Sequence, residues 1–134
     1  MNVELVIVDD DPEILWVMAL TFREEYPLRC FTTGLEAIQY LSTASGPYLL
    51  VTDGQMPQMD GMSLLDRALR TRGIIGAILI TGNPKLSEEG RKTLLPRFQA
   101  AGIPLHFFEK PCLPKEIQST LNAIVHRAPP SSDA

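Results

Sequence analysis

Five short apolar runs punctuate the chain: Glu4–Val8, Leu28–Phe31, Tyr48–Thr52, Ala77–Ile80 and Leu105–Phe108. Most are continuous rather than alternating, as expected for strands buried on both faces of a parallel sheet. Helix-start signals lie between them. Asp11-Pro12 sets a capping carboxylate before a proline in the first turn, where a missing N–H is no loss. Thr33-Gly34-Leu35-Glu36 has the spacing of a capping box. Pro114 opens a last helix expected to run to about His126. Strand and helix alternating five times, (βα)5, predict an α/β sandwich around a parallel sheet, with right-handed crossovers placing helices on both faces. Only Gly82–Gly102 is irregular. Pro84, Gly90 and Pro96 interrupt it, so a loop, one helical piece and a second piece ending near Gly102 are expected, with the break at Pro96.

A length of 134 residues, 45% hydrophobic and 21% charged, suits one soluble domain. That domain is expected to span residues 1–127, with 128–134 as a flexible tail or the start of a linker. The net charge of −4 argues against direct nucleic-acid binding, which needs a basic footprint. The apolar stretches fall well short of the ~18 residues of a membrane span. Met1-Asn2-Val3-Glu4 lacks the basic start of a signal peptide. Cys30 and Cys112 form no CxxC motif, which fits a reduced, cytoplasmic setting.

The chemistry gathers at strand ends. Asp9 and Asp10 follow the first run, Asp53 the third, Thr81 the fourth, and Lys110 lies just beyond the fifth. In a parallel sheet these carboxyl ends share one edge, where open α/β sheets bind ligands. Clustered carboxylates repel one another, and a hard divalent cation with oxygen ligands offsets that repulsion; Mg²⁺ takes one or two carboxylates and accepts a phosphate oxygen. A carboxylate is a competent nucleophile for an aspartyl phosphate, and phosphoryl transfer needs positioning and charge neutralisation above all. Lys110 and Thr81 offer a charge and a hydroxyl to the remaining phosphoryl oxygens.

The strings Val6-Ile7-Val8-Asp9-Asp10-Asp11-Pro12, Asp53-Gly54-Gln55-Met56-Pro57-Gln58-Met59-Asp60-Gly61, Ile80-Thr81-Gly82 and Glu109-Lys110-Pro111 resemble the receiver domains of two-component response regulators, of the chemotaxis-regulator type. The resemblance covers about residues 3–126. It implies a flavodoxin-like, doubly wound sandwich with strand order 2-1-3-4-5. It also implies Asp53 as phosphoacceptor, Asp9 and Asp10 as Mg²⁺ ligands together with Asp53 and the Gln55 backbone carbonyl, and Thr81 and Phe107 as switch residues. Lys110 would pair with the carboxylate or the phosphoryl group, and Lys110-Pro111 would carry a cis peptide. The implied partner is a histidine kinase or histidine phosphotransfer protein, with a homodimer left open. Such a domain is no conventional enzyme, but it catalyses its own phosphorylation and dephosphorylation.

Plainer roles stand beside these. Asp11 and Asp60 read as cap or turn residues, and Cys112 as a small buried or loop residue. Ile14–Leu20 is apolar at every position, whereas a surface helix buries one stripe. Ile14, Leu15 and Trp16 are therefore candidates for partner docking, with Trp16 expected to be partly exposed. Three features depart from the family pattern: a long Thr81–Lys110 segment, which puts a standard dimer mode in doubt, Phe107 in place of the common tyrosine, and Cys112 where phenylalanine is frequent. Two rival functions remain at this stage. One is an interaction module of the same fold that works without phosphorylation. The other is an aspartyl phosphatase, against which stands Gln55 where such enzymes carry a second acid.

Overall fold

The computed structural model describes residues 3–127. The expected tail, 128–134, and the first two residues lie outside that range. The strands are β1 (Glu4–Val8), β2 (Leu28–Phe31), β3 (Tyr48–Asp53), β4 (Ile74–Thr81) and β5 (Leu105–Glu109). The helices are α1 (Pro12–Phe22), α2 (Gly34–Thr43), α3 (Gly61–Ala68), α4 (Pro84–Thr93), α5 (Leu95–Ala100) and α6 (Pro114–Val125). All strand pairings are parallel, in the order β2-β1-β3-β4-β5. The α/β architecture and strand order expected from the sequence are those observed.

Alternate strand residues face opposite sides of the sheet, and the core divides accordingly. Leu5, Ile7, Leu49, Val51, Ile78 and Ile80 pack with α1 and α6. Val6, Val8, Leu50 and Leu79 pack on the other face with residues of α2, α3 and α5. Central β3 is buried at every position, while edge strand β2 is exposed at Arg29 and Cys30. That difference explains why the central runs read as unbroken apolar stretches.

The caps form where the sequence placed them. Asp11 accepts the Glu13 N–H at 3.0 Å, Thr33 that of Glu36 at 3.2 Å, and Asp60 that of Ser63 at 2.8 Å. The Gly82–Gly102 stretch is indeed two helices, α4 and α5, meeting at Leu94, with Pro96 in the first turn of α5. β4 begins three residues earlier than the Ala77–Ile80 run. Gly76 had hidden that extension: its Cα faces Ile124 and Leu49, leaving no room for a side chain.

Candidate active site

Strand register brings the polar residues together. Val8 pairs with Thr52, so Asp9 lies level with Asp53, the last residue of β3. Thr81, the last residue of β4, pairs with Glu109, and the next residue is Lys110. Backbone bonds continue the sheet past its formal ends, with Gly54 N–H donating to Ile80 O at 2.8 Å and Lys110 N–H to Thr81 O at 3.0 Å. The turn after β3 is drawn tight by Gly61, whose N–H donates to Gly54 O at 3.0 Å. A Cβ on Gly61 would fall 2.3 Å from the backbone oxygen of Asp53, so any larger residue would displace the loop after Asp53.

Asp9, Asp10 and Asp53 each present a carboxylate oxygen such that the three lie within 4.8 Å of one another. Asp9 and Asp53 are buried, and Asp10 is exposed. Burial pushes the Asp9 carboxyl up to about 6, with the charges of Asp53 and Asp10 adding to it; the Asp11 N–H, donating at 2.9 Å, and the Lys110 charge work the other way. Lys110 Nζ is 3.1 Å from Asp53 Oδ1. Desolvation would lower the Lys110 ammonium, but its hydrogen bond to Asp53 and the charges of all three aspartates outweigh that and hold it above the ordinary lysine value. One ammonium faces three carboxylates, which leaves room for further positive charge. A hard divalent cation with oxygen ligands fits this donor set, and Mg²⁺ in particular needs only one or two carboxylates besides water.

Thr81 is buried, and its Oγ1 accepts the Asn83 N–H at 3.1 Å. Gln55 is exposed in the loop two residues past Asp53. Lys110-Pro111 is cis. Phe107 is half-buried against α4, where a Cβ on Gly90 would lie 2.6 Å from its Cε1, and Arg91 stands over its ring at 5.0 Å. A cleft of 710 Å³ opens from Asp9, Asp53 and Lys110 and runs along Ile14 and Val17 of α1. Cys112, half-buried between β5 and α6, also lines it.

One docking candidate is corrected. Leu15 is 8% exposed and packs in the core with Met18 and Phe22, whereas Trp16 is 67% exposed. Ile14, Val17 and Leu20 share the outer face with Trp16. Sequence reasoning missed Asn83, which both caps α4 and contacts Thr81. Its signal was present: Asn83-Pro84 repeats the cap-proline pattern of Asp11-Pro12. It also missed Leu86 and Arg91, which lie close to Thr81 and Phe107 through tertiary packing.

The family model for the response regulator receiver domain matches residues 5–122. The DNA-binding transcriptional regulator NtrC of Klebsiella pneumoniae is 37% identical over 84 residues, covering 60% of this chain but 17% of that protein. The chain therefore spans a small fraction of that relative's length. A CheY-like response regulator receiver domain protein from Methanospirillum hungatei JF-1 shares the fold with a TM-score of 0.74 at 24% identity, covering 91% of this chain and 92% of that one. The receiver domain of a sensor histidine kinase from Pseudomonas aeruginosa PAO1, solved with a magnesium ion coordinated in its active site cleft, gives 0.72 at 21% identity, covering 93% and 98%.

Proposed function

The chain belongs to the response regulator receiver domains of two-component systems, and on that footing we propose that it is a phosphorylation switch with Asp53 as the phosphoacceptor. The observation that carries the reading is the convergence of Asp9, Asp10 and Asp53 within 4.8 Å, with Lys110 Nζ at 3.1 Å from Asp53. The donor is a phosphohistidine of a histidine kinase or histidine phosphotransfer protein. An Asp53 carboxylate oxygen forms the new bond to phosphorus as the P–N bond to imidazole breaks; the released nitrogen keeps the electron pair and takes up a proton. Asp9, Asp10, Asp53 and the Gln55 carbonyl would hold Mg²⁺, which would supply the positive charge that lets one anion approach another. Lys110 neutralises the acceptor before transfer and the phosphoryl oxygens after it. Thr81 donates its hydroxyl to another phosphoryl oxygen, and Phe107 responds by repacking against α4. The chain assists its own phosphorylation and dephosphorylation and turns over no separate substrate. The receiver comprises residues 1–127, works in the cytoplasm, and makes no direct contact with nucleic acid.

The test is intact mass after incubation with Mg²⁺ and acetyl phosphate, for wild type and Asp53→Asn. One added phosphoryl group is expected in the wild type alone, and none after chelation of Mg²⁺. An adduct of equal size on Asp53→Asn would move the acceptor elsewhere. No adduct in either, with no binding of beryllofluoride, would favour the module that works without phosphorylation.

A further inference from the structure

Glycine at position 54, directly after the acceptor, leaves a space that two side chains share. A Cβ placed there would lie 2.6 Å from Leu86 Cδ2, 2.9 Å from Thr81 Cβ and 3.2 Å from Thr81 Oγ1. Leu86 thus seats a methyl group over Gly54, at the place the Thr81 side chain also borders. The same turn of α4 also holds the hydroxyl. The Asn83 N–H donates to Thr81 Oγ1 at 3.1 Å, and the Leu86 N–H donates to Asn83 O at 3.0 Å. Thr81 is 1% exposed, so no open side remains through which its hydroxyl turns freely.

The helix that carries Leu86 buries no large apolar side chain within Pro84–Thr93. Its buried residues are Ser87 and Gly90, and among the described residues Ser87 Oγ has no hydrogen-bond partner. Neighbouring α5, by contrast, is pinned by the fully buried Phe98. Elements with little apolar burial are the ones that open at low free energy, and an orphaned buried hydroxyl adds to that tendency.

We propose that Leu86 is a positioning residue for Thr81. Seated over Gly54, it keeps the threonine hydroxyl in the Asn83 contact, and Thr81 reaches a phosphoryl oxygen on Asp53 only when the first turn of α4 withdraws. The inference rests on the phosphoacceptor reading and adds what restrains the switch before phosphorylation. It has a definite sign. Leu86 stabilises the unphosphorylated arrangement, so removing it raises the population competent to bind a phosphoryl group and tightens apparent binding.

The test is a titration of the full chain with beryllofluoride in Mg²⁺, followed by amide NMR, on wild type, Leu86→Ala, Leu86→Met, Thr81→Ala and the Leu86→Ala/Thr81→Ala double variant. Leu86→Ala is expected to lower the binding midpoint by about three- to tenfold, the scale of coupling between residues in contact. Leu86→Met, which keeps the reach of the side chain, should restore nearly the wild-type midpoint. With Thr81→Ala as background, loss of Leu86 should change the midpoint by less than about twofold. The Asn83 amide of Leu86→Ala should also exchange faster without the probe. An unchanged midpoint in Leu86→Ala, or a shift that persists without the Thr81 hydroxyl, would show that Leu86 only packs. If the wild type itself gives no shifts with beryllofluoride, the phosphoacceptor reading fails and this one falls with it, an outcome distinct from a wild type that binds and a Leu86 variant that binds equally.

Discussion

Asp9 is held at a cost. Burial, together with the charges of Asp53 and Asp10, pushes its carboxyl from the usual 3.8 up to about 6. The folded state therefore binds more protons than the unfolded chain between pH ~4 and ~6, and stability falls as pH rises through that window. Above it the whole penalty is present, roughly 3 kcal/mol for a shift of about two units. Asp9→Asn removes the charge yet keeps an oxygen for the Asp11 N–H. In chelator at pH 7.5 the variant should be more stable than wild type to urea by about 1–3 kcal/mol, with the gain shrinking towards pH 4.5. Added Mg²⁺ should stabilise the wild type and leave Asp9→Asn nearly unmoved. A neutral-pH loss of stability in the variant would mean that attraction to Lys110 outweighs burial. Asp9, Asp53, Thr81 and Lys110 were all legible in the sequence, because each follows an apolar run whose end fixes its place on the sheet edge. Leu86 and Asn83 were harder to find, since their parts depend on how α4 lies against the loop after β3. Nothing in local sequence marks the space over Gly54 that Leu86 fills.

At the scale of elements, the same distinction separates what could be read from what could not. The break between α4 and α5 was visible because a proline inside a helix removes an N–H and crowds the preceding turn. The inward phase of α1 was not visible. Ile14–Leu20 is apolar all round, so periodicity offers no direction, and only packing selects Leu15, Met18 and Phe22, spaced by three and four residues, as the buried stripe. That is why Leu15 was expected among the docking residues and turned out to belong to the core. The small buried residues of α4, Ser87 and Gly90, lead to their own prediction. Ser87 Oγ is buried without a partner among the described residues, and replacing an unsatisfied hydroxyl with an apolar group removes a desolvation penalty. Ser87→Ala, also the better helix former, should stabilise the protein by about 1 kcal/mol in denaturant unfolding and slow hydrogen exchange of the α4 amides. Phe98→Ala in α5 should cost about 3–5 kcal/mol, the usual effect of emptying a fully buried aromatic site. If the two variants shifted stability alike, anchoring would not differ between these helices.

Across the whole molecule, the acidic site and the exposed apolar face of α1 lie beside one another, joined by the 710 Å³ cleft that runs from Asp53 and Lys110 to Ile14 and Val17. On the proposed function, a small phosphodonor needs only the site, whereas a protein donor must also cover the surface around it to bring its histidine in line with Asp53. Trp16, at 67% exposure, is the largest side chain on that face, and large aromatics surrounded by smaller apolar neighbours are the usual energetic centres of interfaces. The two kinds of donor therefore separate chemistry from docking. Trp16→Ala should leave stability within about 0.5 kcal/mol of wild type, as expected for an exposed site, and leave the rate of phosphorylation by acetyl phosphate unchanged. Phosphotransfer from the cognate kinase should fall by about tenfold or more, the effect of truncating a residue worth over ~1.4 kcal/mol of binding. The loss should appear at low kinase concentration and recede at saturation, because docking governs encounter while, in the proposed mechanism, Asp53, Lys110 and Thr81 govern transfer. Equal losses with both donors would place Trp16 in the support of the site itself, and no loss with either would assign the outer face of α1 to a different partner.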